Sequence, residues 1–71
     1  MKEYTVIYEP GVPNWSAYVP DLPGCIATGK TRKDLEQRIR GAIEFHIEGL
    51  RRHGEPVPEP TIEAAKVTVT A

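Results

Sequence analysis

Apolar and polar residues alternate in the first part of the chain and then change to a helical spacing. Lys2–Glu9, Trp15–Val19 and Cys25–Gly29 are rich in strand-forming residues and are bounded by turn residues, which predicts three short strands. Beyond them, apolar side chains recur every three or four positions, which predicts one amphipathic helix. These positions are Leu35, Ile39, Ala42, Ile43, His46, Ile47 and Leu50. A last alternating run, Ala65–Thr70, predicts a fourth strand.

Turn and capping residues mark the ends of these elements. In the run Leu22–Cys25, proline is followed by glycine, the order typical of a type II turn, so we expect strands two and three to be joined tightly. Thr31 is a suitable N-cap for the helix, and Gly54 is a suitable residue just beyond its end. The alternating prolines of Glu55–Pro60 then predict a stiff, extended connector.

The predicted element order is strand, strand, strand, helix, strand, in one domain over residues 1–71. If the first three strands form an antiparallel meander and the helix crosses over, the fourth strand lies parallel to the first and beside it. The sequence therefore predicts an α+β fold: a four-stranded sheet of order 3-2-1-4 with one helix on one face.

A single helix can cover only one face of such a sheet. Alternation assigns an apolar set to the covered face: Tyr4, Val6, Tyr8, Ala17, Val19, Cys25, Ala27, Val67 and Val69. The opposite face carries Ile7, Tyr18 and Ile26, with no helix above them. Because contiguous exposed apolar residues usually mark an interface, we expect these three to support self-association into a homo-oligomer.

Composition and charge exclude several classes of protein. With 71 residues, 39% of them hydrophobic, and a formal net charge of −1, the chain has no strong polyanion-seeking character. Cys25 is the only cysteine, so an internal disulfide is impossible and a reducing cytoplasm is the expected location; we interpret Cys25 as an inert buried thiol. Neither a signal-peptide core nor a membrane-spanning apolar stretch is present in the sequence.

Candidate catalytic and metal-binding groups are sparse. His46 and His53 are about 10 Å apart along a helix, too far to share one metal ion. The only serine, Ser16, lies within a predicted strand and has no evident base partner. A metal-dependent nuclease with this topology needs converging carboxylates on strand one, the helix and strand four, and this acidic cluster is absent. We therefore predict a protein that is not an enzyme and needs no cofactor or metal.

Four ordered motifs resemble those of the HicB antitoxin family. They are the run Trp15–Cys25, the run Ala27–Thr31, the helical run Ala42–Leu50 and the run Gly54–Pro60. The resemblance implies a degraded ribonuclease H-like fold that binds and neutralises HicA, a small mRNA-cleaving toxin. Full-length members also carry a C-terminal DNA-binding module. The sequence ends after the predicted fourth strand, so we expect a short stand-alone member without direct DNA binding.

The predicted contacts with a toxin are Trp15, Tyr18 and Asp21, because aromatic residues are favoured at interfaces and acidic groups suit a basic RNA-gripping surface. Two of them have structural alternatives: Trp15 as a residue at the edge of the core, and Asp21 as a turn former. Two other functions also stay open: a small-molecule or RNA-binding sheet that uses Tyr18 for stacking, or an oligomeric scaffold without a toxin. The net charge of −1 counts against RNA binding.

Overall fold

The computed structural model describes residues 2–71 and contains three strands and one long helix. The elements are β1 (Ile7–Glu9), β2 (Trp15–Tyr18), β3 (Ile26–Gly29) and α1 (Arg32–Arg52). The strands form an antiparallel sheet of order β1-β2-β3, and α1 packs across β3 and β2. The α+β class, the meander and the single helix are thus confirmed.

The turn before β3 and both ends of α1 follow the sequence signals. Gly24 has a φ of 85°, and the Cys25 N–H donates to the Leu22 carbonyl at 3.0 Å, which closes the predicted turn. At the start of α1, the Thr31 hydroxyl accepts a hydrogen bond from the Asp34 N–H at 3.1 Å. At its end, Gly54 adopts a φ of 68°, a conformation that glycine reaches without steric cost.

The core lies between the sheet, the turn before β3 and the first half of α1. Its buried members are Ala17, Val19, Leu22, Cys25, Leu35 and Ile39. The small residues Ala17 and Ala27 pair across β2 and β3 and let the helix approach closely. Later positions of the helical stripe are only half-buried, because the second half of α1 has less of the molecule beneath it.

The first strand is shorter than predicted, covering Ile7–Glu9 and not Lys2–Glu9. The register pairs Ile7 with Tyr18, so the residues before Ile7 lie opposite the chain that turns after β2. There, the Val19 N–H already donates to the Cys25 carbonyl at 3.1 Å. Residues 2–6 therefore have no strand to pair with, although Tyr4 and Val6 still pack against the core.

The predicted fourth strand at Ala65–Thr70 is not formed, so the order 3-2-1-4 is reduced to its first three strands. Residues 61–71 are all exposed and have no regular secondary structure. Val67 and Val69, predicted to lie under the helix, are 81% and 71% exposed. The alternation is strand-like, but a strand needs a neighbouring backbone, and this segment has none among the described residues.

Candidate partner-binding face

The face of the sheet turned away from α1, here called the open face, carries an apolar row across all three strands. Ile7 is paired with Tyr18, and Tyr18 is paired with Ile26. Side chains of directly paired residues stand on the same side of a sheet, so the three lie next to one another. Tyr18 is 42% exposed and Ile26 is 63% exposed, while Ile7 is half-buried. The predicted open face is thus present, with the three predicted residues in one row.

A shallow apolar hollow of about 420 Å³ continues this row onto the turn before β3. Its lining comes from the ends of β2 and β3 and from the turn itself: Tyr18, Val19, Pro20, Leu22, Pro23, Gly24, Cys25 and Ile26. Leu22 anchors the turn because its side chain is fully buried. A hydrogen-bonded turn with a buried anchor, beside an exposed tyrosine, offers a preorganised surface, which lowers the entropy lost on binding.

The three residues predicted to contact a toxin do not share one surface. Trp15 pairs with Gly29, has the same alternation as Ala17 and packs half-buried against the core on the helix side. This placement agrees with its structural alternative as a residue at the core edge. Tyr18 points to the open face. A contiguous surface around Tyr18 therefore draws on Ile26 and the turn, and not on Trp15.

Asp21 binds the segment that follows the helix. Its Oδ2 accepts hydrogen bonds from the N–H groups of Thr61 at 3.1 Å and Ile62 at 3.0 Å, and its Oδ1 accepts one from the Thr61 hydroxyl at 3.1 Å. The hydrogen bond from Ile62 is the main cause that lowers the pKa of Asp21 below its ordinary value. We call this set of bonds the Asp21 clamp. It gives Asp21 a structural role that differs from the turn-forming alternative, because its acceptors bind a segment distant in the chain.

The remaining candidates for a chemical role are the single cysteine and the possible metal ligands. Cys25 is buried, and desolvation raises the pKa of its thiol, which disfavours the reactive thiolate. Within residues 2–71, no three acidic, histidine or cysteine side chains converge as metal ligands. The same part of the chain has no helix with the length and apolar character needed to cross a bilayer.

Comparison with known proteins decides the family. A model described as the HicB-like antitoxin of bacterial toxin–antitoxin systems matches residues 4–69, nearly the whole chain. The chain belongs to the HicB-like antitoxin family. Members of the family are generally non-catalytic, in agreement with the sequence-based prediction.

Individual relatives give the same picture. A UPF0150 protein of Thermoplasma acidophilum is 43% identical over 53 residues, covering 75% of this chain and 74% of the relative. A UPF0150 protein of Synechocystis is 39% identical over 57 residues, covering 79% and 72%. An uncharacterized 14.9 kDa protein of Haemophilus phage HP1 is 42% identical over 41 residues, but that match spans only 58% of this chain and 31% of the phage protein. No solved structure matches the chain significantly.

Two surface features were missed by the sequence reasoning. The first is Phe45, which is 80% exposed on α1. Phe45 lies outside the apolar stripe of the helix, and this position in the sequence indicates an exposed aromatic ring. The second is the use of Thr61 and Ile62 as donors to Asp21, for which no local pattern exists because the partners are 40 and 41 residues apart in the chain.

Proposed function

We propose that this HicB-like protein binds and neutralises a HicA-like mRNA-cleaving toxin, and that the open face around Tyr18 makes the contact. Family membership supports a toxin partner. The observation that supports the site is the row of Ile7, Tyr18 and Ile26, left uncovered by α1, the single helix of residues 2–71. The protein acts by occlusion: it covers the toxin surface that grips RNA and performs no chemistry itself.

Tyr18 is the central anchor of this proposal. It lies on the middle strand, between Ile7 and Ile26, and also borders the hollow formed by the turn. Tyrosine combines a large apolar ring with a hydroxyl that can hydrogen-bond, and such residues carry much of the binding energy at interfaces. Ile26 adds apolar area beside it. Asp21 takes part indirectly, through the clamp that fixes the turn and the segment after the helix.

Charge on the open face favours a basic protein partner over RNA. The strands present Ile7, Glu9, Ser16, Tyr18, Ile26 and Thr28 on this side. Glu9 is acidic and exposed, and none of the six residues is a lysine or arginine. An RNA-binding sheet needs cations to hold phosphates, so a low-salt titration with single-stranded RNA is expected to show no appreciable binding.

Substitution of Tyr18 tests the site. Tyr18→Ala should weaken toxin binding at least tenfold, the change expected for loss of an interface anchor worth about 2 kcal/mol, as measured by calorimetry with the purified toxin. Phe45→Ala is the matched control, since it removes an exposed aromatic ring from α1 and should leave affinity unchanged. Both variants should keep the wild-type circular dichroism spectrum. Unchanged binding by Tyr18→Ala, or a loss confined to Phe45→Ala, would contradict the proposed site.

A further inference from the structure

The segment after the Asp21 clamp has the character of a strand but no paired strand among residues 2–71. Ala65–Thr70 alternates valine with lysine or threonine, and both valines are largely exposed. The molecule is also elongated, with a radius of gyration of 13.8 Å and a longest dimension of 47 Å. A compact domain of this length has a radius of gyration of about 11 Å. The structure thus places a β-forming segment away from the body.

The clamp holds the start of this segment at the end of the sheet, beside residues 2–5. Thr61 and Ile62 are held by Asp21, which lies in the loop that follows β2, and the Thr5 hydroxyl donates to the Ile62 carbonyl at 2.8 Å. The free edge of β1 is on the side opposite β2. The stiff proline-rich connector leads into the clamp, and no strand after it pairs with β1 among residues 2–71.

The edge of β1 is suited to receive such a strand. Next to this edge, on the face of the sheet turned toward α1, Val6 and Tyr8 are only half-buried because α1 packs mainly on β3 and β2. An added strand whose valines face this side would cover both residues. Its lysine would then lie on the open face, the side that carries the exposed carboxylate of Glu9. Both the alternation of Ala65–Thr70 and the positive charge of its lysine therefore suit pairing at this edge.

We propose that Ala65–Thr70 of one chain adds as a strand to the free edge of β1 in a second copy. The same segment of the second copy adds to β1 of the first chain. Such reciprocal exchange gives a closed, two-fold symmetric dimer, and it supplies backbone partners to both the donated strand and the receiving edge. The exchange leaves the Tyr18 row on each open face, and it does not depend on a toxin.

Paired substitutions in the full chain test the exchange. Wild-type protein should have the molar mass of a dimer by light scattering, and the amides of residues 65–70 should be protected from hydrogen exchange. Val67→Lys combined with Val69→Lys should halve the molar mass and abolish that protection. Thr68→Lys combined with Thr70→Lys adds the same charge on the other side of the strand and should leave the dimer intact.

Mixing labelled and unlabelled chains shows where the strand goes. In an isotope-filtered NMR experiment, the Val67 and Val69 methyl groups of the labelled chain should contact the Tyr8 ring of the unlabelled chain. Protected amides in a monomer would mean a fourth strand within one chain and would overturn the proposal. Unprotected amides, or a dimer that survives the valine substitutions, would overturn it as well. Toxin binding is measured separately, so its failure would leave this test unaffected.

Discussion

Val19 and Val67 are β-branched residues in similar alternating runs, but one is 2% exposed and the other 81% exposed. Val19 follows β2, where a paired strand, a tight turn and a helix surround it. Val67 lies beyond the Asp21 clamp, where no second strand is present within the described chain. The difference shows that alternation selects which side chains can be buried, whereas burial itself depends on a neighbouring backbone and a covering layer.

The largest effect is expected when a fully buried side chain is removed from the body of the molecule, that is, the sheet, the turn before β3 and α1. Leu35→Ala should lower the free energy of unfolding by about 2 to 5 kcal/mol, since it leaves a cavity under the first turns of α1. Thr70→Ala, in the exposed segment, should change it by less than about 0.5 kcal/mol. Urea unfolding followed by circular dichroism measures both. Equal effects would mean that the two regions do not differ in packing.

A smaller effect is expected at Gly24, in the turn that joins β2 to β3. Gly24→Ala should cost about 1 to 2 kcal/mol, because the φ of 85° is unfavourable for a residue with a Cβ even though no atom lies within 4 Å of that position. Gly41→Ala, within α1 and equally unobstructed, should instead stabilise the protein by about 0.5 to 1 kcal/mol. Thermal unfolding of the two variants should shift in opposite directions; a shift in the same direction would argue against the assigned turn.

The smallest effect concerns the clamp that joins the two regions. Asp21→Asn should speed amide exchange at Thr61 and Ile62 and leave exchange in the body unchanged, since an amide oxygen replaces only part of the carboxylate's accepting capacity. Thr28→Ala, on the exposed side of β3, is a control that should change neither region. Faster exchange throughout the body would show that the clamp supports the whole fold.

The clamp should also depend on pH. Because the pKa of Asp21 is lowered in the folded chain, its bonds are fully present above the ordinary carboxyl value of about 3.9. They should be lost as the pH falls through the lower folded value. Exchange at Ile62, normalised for the intrinsic effect of pH, should therefore rise only in acid, and Asp21→Asn should remove this dependence.

Local chemistry explains which parts of the fold could be predicted from the sequence. The turn at Gly24, the cap at Thr31 and the helical stripe depend on residues close in the chain, and all were predicted with nearly the observed boundaries. The row of Ile7, Tyr18 and Ile26 followed from alternation together with a short turn that fixes the register of β2 and β3.

Nonlocal contacts explain the rest. The first strand is shorter because its early residues lie opposite a turn, which depends on the register of β1 and β2. The fourth strand is missing because Ala65–Thr70 has no paired neighbour among the described residues 2–71. The role of Asp21 depends on donors 40 and 41 residues away. The prediction that Trp15 contacts a partner rests on its residue type, whereas its alternation with Ala17 places its side chain on the helix side.

Inhibition of a toxin is the most direct test of the proposed antitoxin activity. The toxin for this test is a small basic HicA-like protein, to be sought in the open reading frame next to the gene for this chain, and cleavage of an mRNA by that purified protein provides the readout. The wild-type chain should stop cleavage at about equimolar amounts, and Tyr18→Ala should require at least tenfold more, in line with its expected loss of affinity. Continued cleavage in the presence of excess wild-type protein would contradict the account.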